Sequence, residues 1–213
     1  MVDLTVNVRS EKNLGMWGSI LALLGGFVPY IGSVLALVGS ILVLVALHGI
    51  GNAVGDDRPF KNYLFAFIVG IAVLVLFIFV IFATFGLTMS GLSVHEEFSG
   101  PITAAPSESM SITNEYTEAL PLMIISGVFL LVVLITVVNA YFEMKAWSAM
   151  YEITRTKSFE DAANWFKWGA ITAIVLVGFL LIFIARIFVI LGFSNMPDEL
   201  EEKPQLPLDS HIA

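Results

Sequence analysis

Four side chains stand out because apolar sequence surrounds them: His48, Asn139, Glu143 and Arg186. A polar or ionisable group inside an apolar helix is expensive to keep from water, so each marks a functional site by default. Asn139 and Glu143 are four residues apart and share one face of a helix. His48 lies at the corresponding depth of another apolar block, and the three together would make a proton or cation site opening to one side. The plainer reading places all three at a membrane interface. Arg186 sits about two turns from the outer end of the last span, near residue 193. There it either pairs with Glu118 or extends its guanidinium outward to the headgroups, and its expected role is stabilisation rather than substrate binding.

No combination of Ser, His and Asp, no metal-ligand spacing and no phosphate-binding glycine loop is present. His95 and His211 lie in polar segments, and the chain has no cysteine, which excludes disulfides and thiolate metal sites. The sequence therefore points to no enzymatic activity, no cofactor and no metal. A formal charge of −8 argues against nucleic acid as a partner.

The elements that must carry these residues are apolar helices. Of 213 residues, 58% are hydrophobic and 13% charged, against about 45–50% and about 25% in a soluble domain. The excess comes in uncharged blocks: Leu14 to Val28, Ile31 to Leu47, Tyr63 to Leu87, Leu120 to Phe142 and Trp168 to Ala185. Since about 20 helical residues cross the roughly 30 Å hydrocarbon core, the reading is an all-α, polytopic transmembrane bundle of about five spans. A cytoplasmic segment, 1–13, precedes a membrane domain, 14–193, with spans near 14–28, 31–50, 60–87, 119–155 and 159–193. The first is the shortest. It crosses with help from the residues before it, or it returns with the second span as a re-entrant hairpin.

Charge sets the sidedness. Eight of the ten lysines and arginines lie before span one, between spans two and three, or between spans four and five. The loop 88–118 has none and is acidic. Cytoplasmic loops retain Lys and Arg, so the amino terminus is expected in the cytoplasm. Five crossings put loop 88–118 and the carboxyl tail outside. The loop, rich in Ser, Thr, Gly, Pro and Glu, reads as a solvated connection, and the acidic, proline-bearing tail 194–213 as disordered.

Small residues recur every four positions at Gly18, Ala22 and Gly26, then at Gly32, Ala36 and Ser40, which lets helix backbones approach closely in lipid. Spans two and three also share a pattern with spans four and five. Phe60-Lys61-Asn62 falls on Phe159-Glu160-Asp161, Phe67 on Phe166 and Gly70 on Gly169, as expected of two hairpins in a parallel repeat. In the first turn Gly55 ends a helix, Asp57 starts the next and Pro59 fits its opening turn. In the second, Ser158 is the expected cap, with Glu160 and Asp161 following. Met144, Trp147 and Tyr151, then Phe159, Ala162, Ala163 and Phe166, carry the apolar faces of a helical hairpin beyond the membrane.

The order of these features resembles a mostly archaeal, uncharacterised membrane-protein family, domain of unknown function 996. The resemblance rests on Lys12-Asn13-Leu14-Gly15, Pro29 followed by Gly32 and Gly39, Phe60-Lys61-Asn62, and Phe159 leading to Gly169-Ala170. It covers most of residues 11 to 197 and implies the fold, while bringing no established activity. Two function classes follow from the residues. One is a non-enzymatic membrane component that packs against itself or a membrane-protein partner, with lipid around it. The other is a small transporter or channel built on the four polar residues. A hydrated cavity reaching mid-membrane separates the second from the first.

Overall fold

A computed structural model describes residues 5–92, 111–175 and 177–201. A short strand β1 (Thr5–Asn7) leads into helices α1 (Arg9–Gly25), α2 (Gly32–Val54), α3 (Arg58–Leu92), α4 (Ser111–Thr154), α5 (Lys157–Thr172) and α6 (Val177–Asn195), and strand β2 (Glu199–Glu201) follows. The all-α expectation holds. Four helices, α2, α3, α4 and α6, contain stretches long and apolar enough to cross a membrane. The other two are shorter, about 25 Å for α1 and about 24 Å for α5 at about 1.5 Å per residue.

The chain divides into two compact units. In the first, 1–69 with 136–213, the core gathers Trp147, Phe159, Phe166, Phe193, Leu47, Ile50 and Met150, all nearly inaccessible. Trp147 stacks on Phe159 with ring centroids 5.7 Å apart, and Phe193 meets both edge-on. The apolar faces expected of the α4–α5 hairpin thus pack together, and α6 completes them. In the second unit, 70–135, α3 and α4 run with large apolar side chains exposed, among them Phe79, Phe82 and Leu130.

Several expectations change. The fifth span is two helices: 159–193 breaks at a 3-10 turn, Ala173–Val175, and α6 folds back along α5. The turn is apolar, so it carries no polar punctuation. What permits it is the absence of side chains where the helices meet: a Cβ on Gly178 would strike the backbone of Gly169 and Ala173. The tail is not wholly irregular either. β2 pairs antiparallel with β1, Val6 opposite Leu200, and Met196 and Leu200 are buried. The pairing closes because Leu200 has apolar neighbours, Val8 and Met196 among them, to bury against. The joined strands hold residues 5–7 beside residues 199–201. The loop expected at 88–118 is helical at 88–92 and 111–118, and 93–110 lies outside the described residues, as does 202–213 of the tail.

The β ribbon is tied by charge. Lys12 Nζ donates to Asp198 Oδ1 at 2.9 Å, Arg9 lies 3.9 Å from the other oxygen, and the Val8 N–H donates to the Asp198 carbonyl at 2.8 Å. Lys12, with Arg9 adding to it, holds the Asp198 carboxyl below its ordinary value. A depressed carboxylate stabilises the folded form above its unfolded pKa and loses that contribution as pH falls through the folded one. Acidification below about pH 4 should therefore loosen the ribbon, read as faster hydrogen exchange at the Val8 amide. In Asp198→Asn that amide should exchange faster at neutral pH and show no acid-dependent step.

The two basic turns match each other. Gly55 (φ 76°) and Arg155 (φ 55°) both take the left-handed conformation, and each N–H donates to the carbonyl four residues back, Gly51 and Tyr151, at 2.8 Å. The two turns are alike in conformation, but the hairpins differ beyond them: α5 stops at Thr172 while α3 continues to Leu92. The residue preceding α5 is Thr156 rather than the expected Ser158, whose hydroxyl instead accepts weakly from Asn195 at 3.5 Å. A left-handed arginine is strained and a glycine is not. Arg155→Gly should raise the stability in detergent by up to about 1 kcal/mol, visible as a higher midpoint of thermal unfolding.

Candidate functional site

The polar centre of the first unit is an ion pair between α4 and α6. Arg186 Nη2 donates to Glu143 Oε1 at 3.1 Å. The Glu143 side chain is 7% exposed and that of Arg186 37%. Around them is a cavity of about 20 Å³, lined by Ser19 and Ala22 from α1, Val43 from α2, Tyr63 from α3, Glu143 and Trp147 from α4, and Arg186 and Val189 from α6. A void of that size has room for about one water molecule.

Helical spacing explains the placement. Glu143 and Trp147 are one turn apart on α4 and reach the same cavity, and Arg186 and Val189 do so from α6. Tyr63 closes one side and packs its ring 5.6 Å from that of Trp147. Trp147 is 1% exposed and its Nε1 has no hydrogen-bond partner among the described residues. A buried indole N–H favours a nearby acceptor, and the Glu143 carboxylate one turn away lines the same cavity.

Of the four polar residues singled out in the sequence, the structure brings two together. Arg186 finds Glu143, whereas Glu118, the partner expected for it, has no described side chain. Asn139 does lie one turn before Glu143, but its Nδ2 donates to the Ala66 carbonyl at 2.6 Å, which ties α4 to α3. His48 is exposed on α2, 3.1 Å from Asn52 and against the ring of Phe60. The structure therefore does not bring His48, Asn139 and Glu143 together. Tyr63 and Trp147 were missed. Trp147 had a usable signal, since it follows Glu143 by four residues; Tyr63 had none beyond its hydroxyl at the start of an apolar block.

The small-residue faces are real, with a different register. Gly18 and Ala22 meet Gly39, and Gly25 meets Gly32 and Ala36, so close that a Cβ on any of these glycines would strike backbone. Gly26 is exposed and open, and the Ser40 hydroxyl donates to Ala36 O at 2.8 Å on its own helix. Gly18 and Gly25, like Gly32 and Gly39, are seven apart, about two turns, and that period follows a helix face better than steps of four. Arg58 reinforces the neighbouring turn, bridging Asp56 and Glu152 at 2.7 Å each. Among the described residues no group of three or more His, Asp or Glu is placed to hold a metal ion.

Residues 35–187 match the family described as protein of unknown function, DUF996. The chain belongs to this family. It is also 26% identical over 198 residues to the uncharacterized protein MJ1644 of Methanocaldococcus jannaschii, covering 93% of this chain and 98% of that one. No solved structure matches the chain. The family match spans Tyr63, Glu143, Trp147 and Arg186 but stops short of both strands, so the polar centre lies within the matched segment and the ribbon outside it.

Proposed function

We propose that the protein is an integral membrane component without enzymatic activity, which acts by packing its helices against itself or a membrane-protein partner. The observation that carries this reading is the surface of α3. Its span has a mean hydropathy of 3.4, and Phe65, Ile68, Val75, Phe79 and Phe82 are each more than half exposed. Such a surface is soluble only under lipid or another apolar face.

The interior supports packing over passage. Glycine contacts close the α1–α2 and α5–α6 hairpins, and the cavity at Glu143 and Arg186 has room for about one water. Arg9, Lys12, Arg58, Lys61, Arg155 and Lys157 lie near the paired termini or the two basic turns, while 93–110 has no Lys or Arg. The positive-inside rule then assigns both termini to the cytoplasm and 93–110 to the opposite side. A transporter is the second reading, favoured by the buried ion pair beside a water-sized void.

Alkaline carbonate washing of membranes followed by size analysis in detergent tests the first reading. The chain should stay with the lipid and elute above its 23.2 kDa monomer mass. Release into the wash would sink the membrane assignment, and a lone monomer would sink self-association. Proton or solute flux in proteoliposomes that disappears in Glu143→Gln would favour transport instead.

A further inference from the structure

We infer that the α5–α6 hairpin is a re-entrant wedge: it enters the hydrocarbon from the side of the termini, turns inside it at Ala173–Val175, and presents its tip to lipid acyl chains. This rests on the membrane reading above. By itself α6 is long and apolar enough to cross, but it is bound along its length to α5. Asn195 reaches Ser158 at the open end, Gly192 meets Phe159, Trp165 stacks on Phe188 with centroids 6.3 Å apart, and Gly178 meets Gly169 near the turn. Neither helix can go deeper than the other.

The depth of α5 is set by its polar residues. Glu160, Asp161, Asn164 and Lys167 occupy its first eleven positions. The last residue, Thr172, lies only five positions beyond Lys167, about 8 Å along the helix. A tip at the far interface of a roughly 30 Å core would place Glu160 and Asp161 inside the hydrocarbon, about 20 Å from the tip at about 1.5 Å per residue. Neither has an ion-pair partner among the described residues, and an unpaired carboxylate there is strongly unfavourable. A shallow hairpin removes the conflict. The carboxylates then stay in water, Lys167 reaches the headgroups, and the tip enters by about 8 Å, the depth of an interfacial helix.

The tip has the surface this requires. Ile171, Val175, Val177 and Leu180 are 52–68% exposed, and no charge occurs between Lys167 and Arg186. A turn facing water on the far side would leave those side chains solvated. Inserted from one side only, the hairpin adds volume to one leaflet.

The absence of cysteine makes the test direct, because each single-cysteine variant of the full chain carries one label. In sealed vesicles, Lys157→Cys should react with a membrane-impermeant maleimide from one face only. Val175→Cys and Val177→Cys should lose labelling from both faces. Bimane attached at either tip position in detergent should, after reconstitution, be quenched most by lipids with a shallow nitroxide. Tip labelling from the face opposite Lys157→Cys means a crossing hairpin, and labelling from the same face means a tip in water. Tip positions that are unlabelled and unquenched mean a protein cover. Each of these three overturns the wedge. Val75→Cys on α3 is the separate control: if it too reacts freely, the membrane reading itself fails.

Discussion

Arg186→Met should destabilise the detergent-solubilised protein by about 3–5 kcal/mol, the usual cost of stranding a buried charge. Glu143 is 7% exposed at its side chain, and Arg186 is its only ion-pair partner among the described residues. The reverse change, Glu143→Met, should cost less, since the Arg186 side chain is 37% exposed and has an outward route for its guanidinium. The double variant should recover most of the loss, because an ion pair replaced by apolar side chains of similar volume is often neutral or better. Thermal unfolding of the four proteins as a double-mutant cycle measures this. Additive single effects would mean that the two residues do not interact as described.

Gly178→Val should cost about 1–3 kcal/mol and act locally, by opening the α5–α6 hairpin. The atoms a side chain would meet are backbone atoms of Gly169 and Ala173, which cannot swing aside as a side chain can. Protease sensitivity at the 173–175 turn should rise together with the fall in unfolding temperature. Gly127→Ala is the matching control. Nothing lies within 4 Å of its added Cβ, so it should be neutral or stabilising by roughly 0.5–1 kcal/mol, the helix preference for Ala over Gly. Equal losses at both positions would show that helix propensity, not close approach, governs the glycines.

The two cases also show what was readable in advance. Ile31 to Leu47, Tyr63 to Leu87 and Leu120 to Phe142 announce their helices through uninterrupted hydrophobicity, and Gly55 announces its turn through the conformation only glycine adopts cheaply. The break after Thr172 announces nothing, since an apolar turn between apolar helices leaves the hydropathy unchanged. Steps of four drift off a helix face within two turns, so they point to Gly26 where the contact is made by Gly25. His48 shares only its depth with Glu143, and depth does not fix rotation about the helix axis.

Composition and charge by themselves determined that this chain is helical, that its helices are apolar enough for lipid, and that Arg58, Lys61, Arg155 and Lys157 gather beside two turns. These are additive properties of short segments, so no partner segment is needed to express them. Which charge Arg186 meets, whether 159–193 is one helix or two, and whether the segments 5–7 and 199–201 pair were decided only by tertiary structure. Each depends on how residues far apart in sequence approach: Arg186 with Glu143, Gly178 with Gly169, Val6 with Leu200. Hydropathy has no direction about a helix axis, whereas a salt bridge, a glycine contact and a strand pair all do.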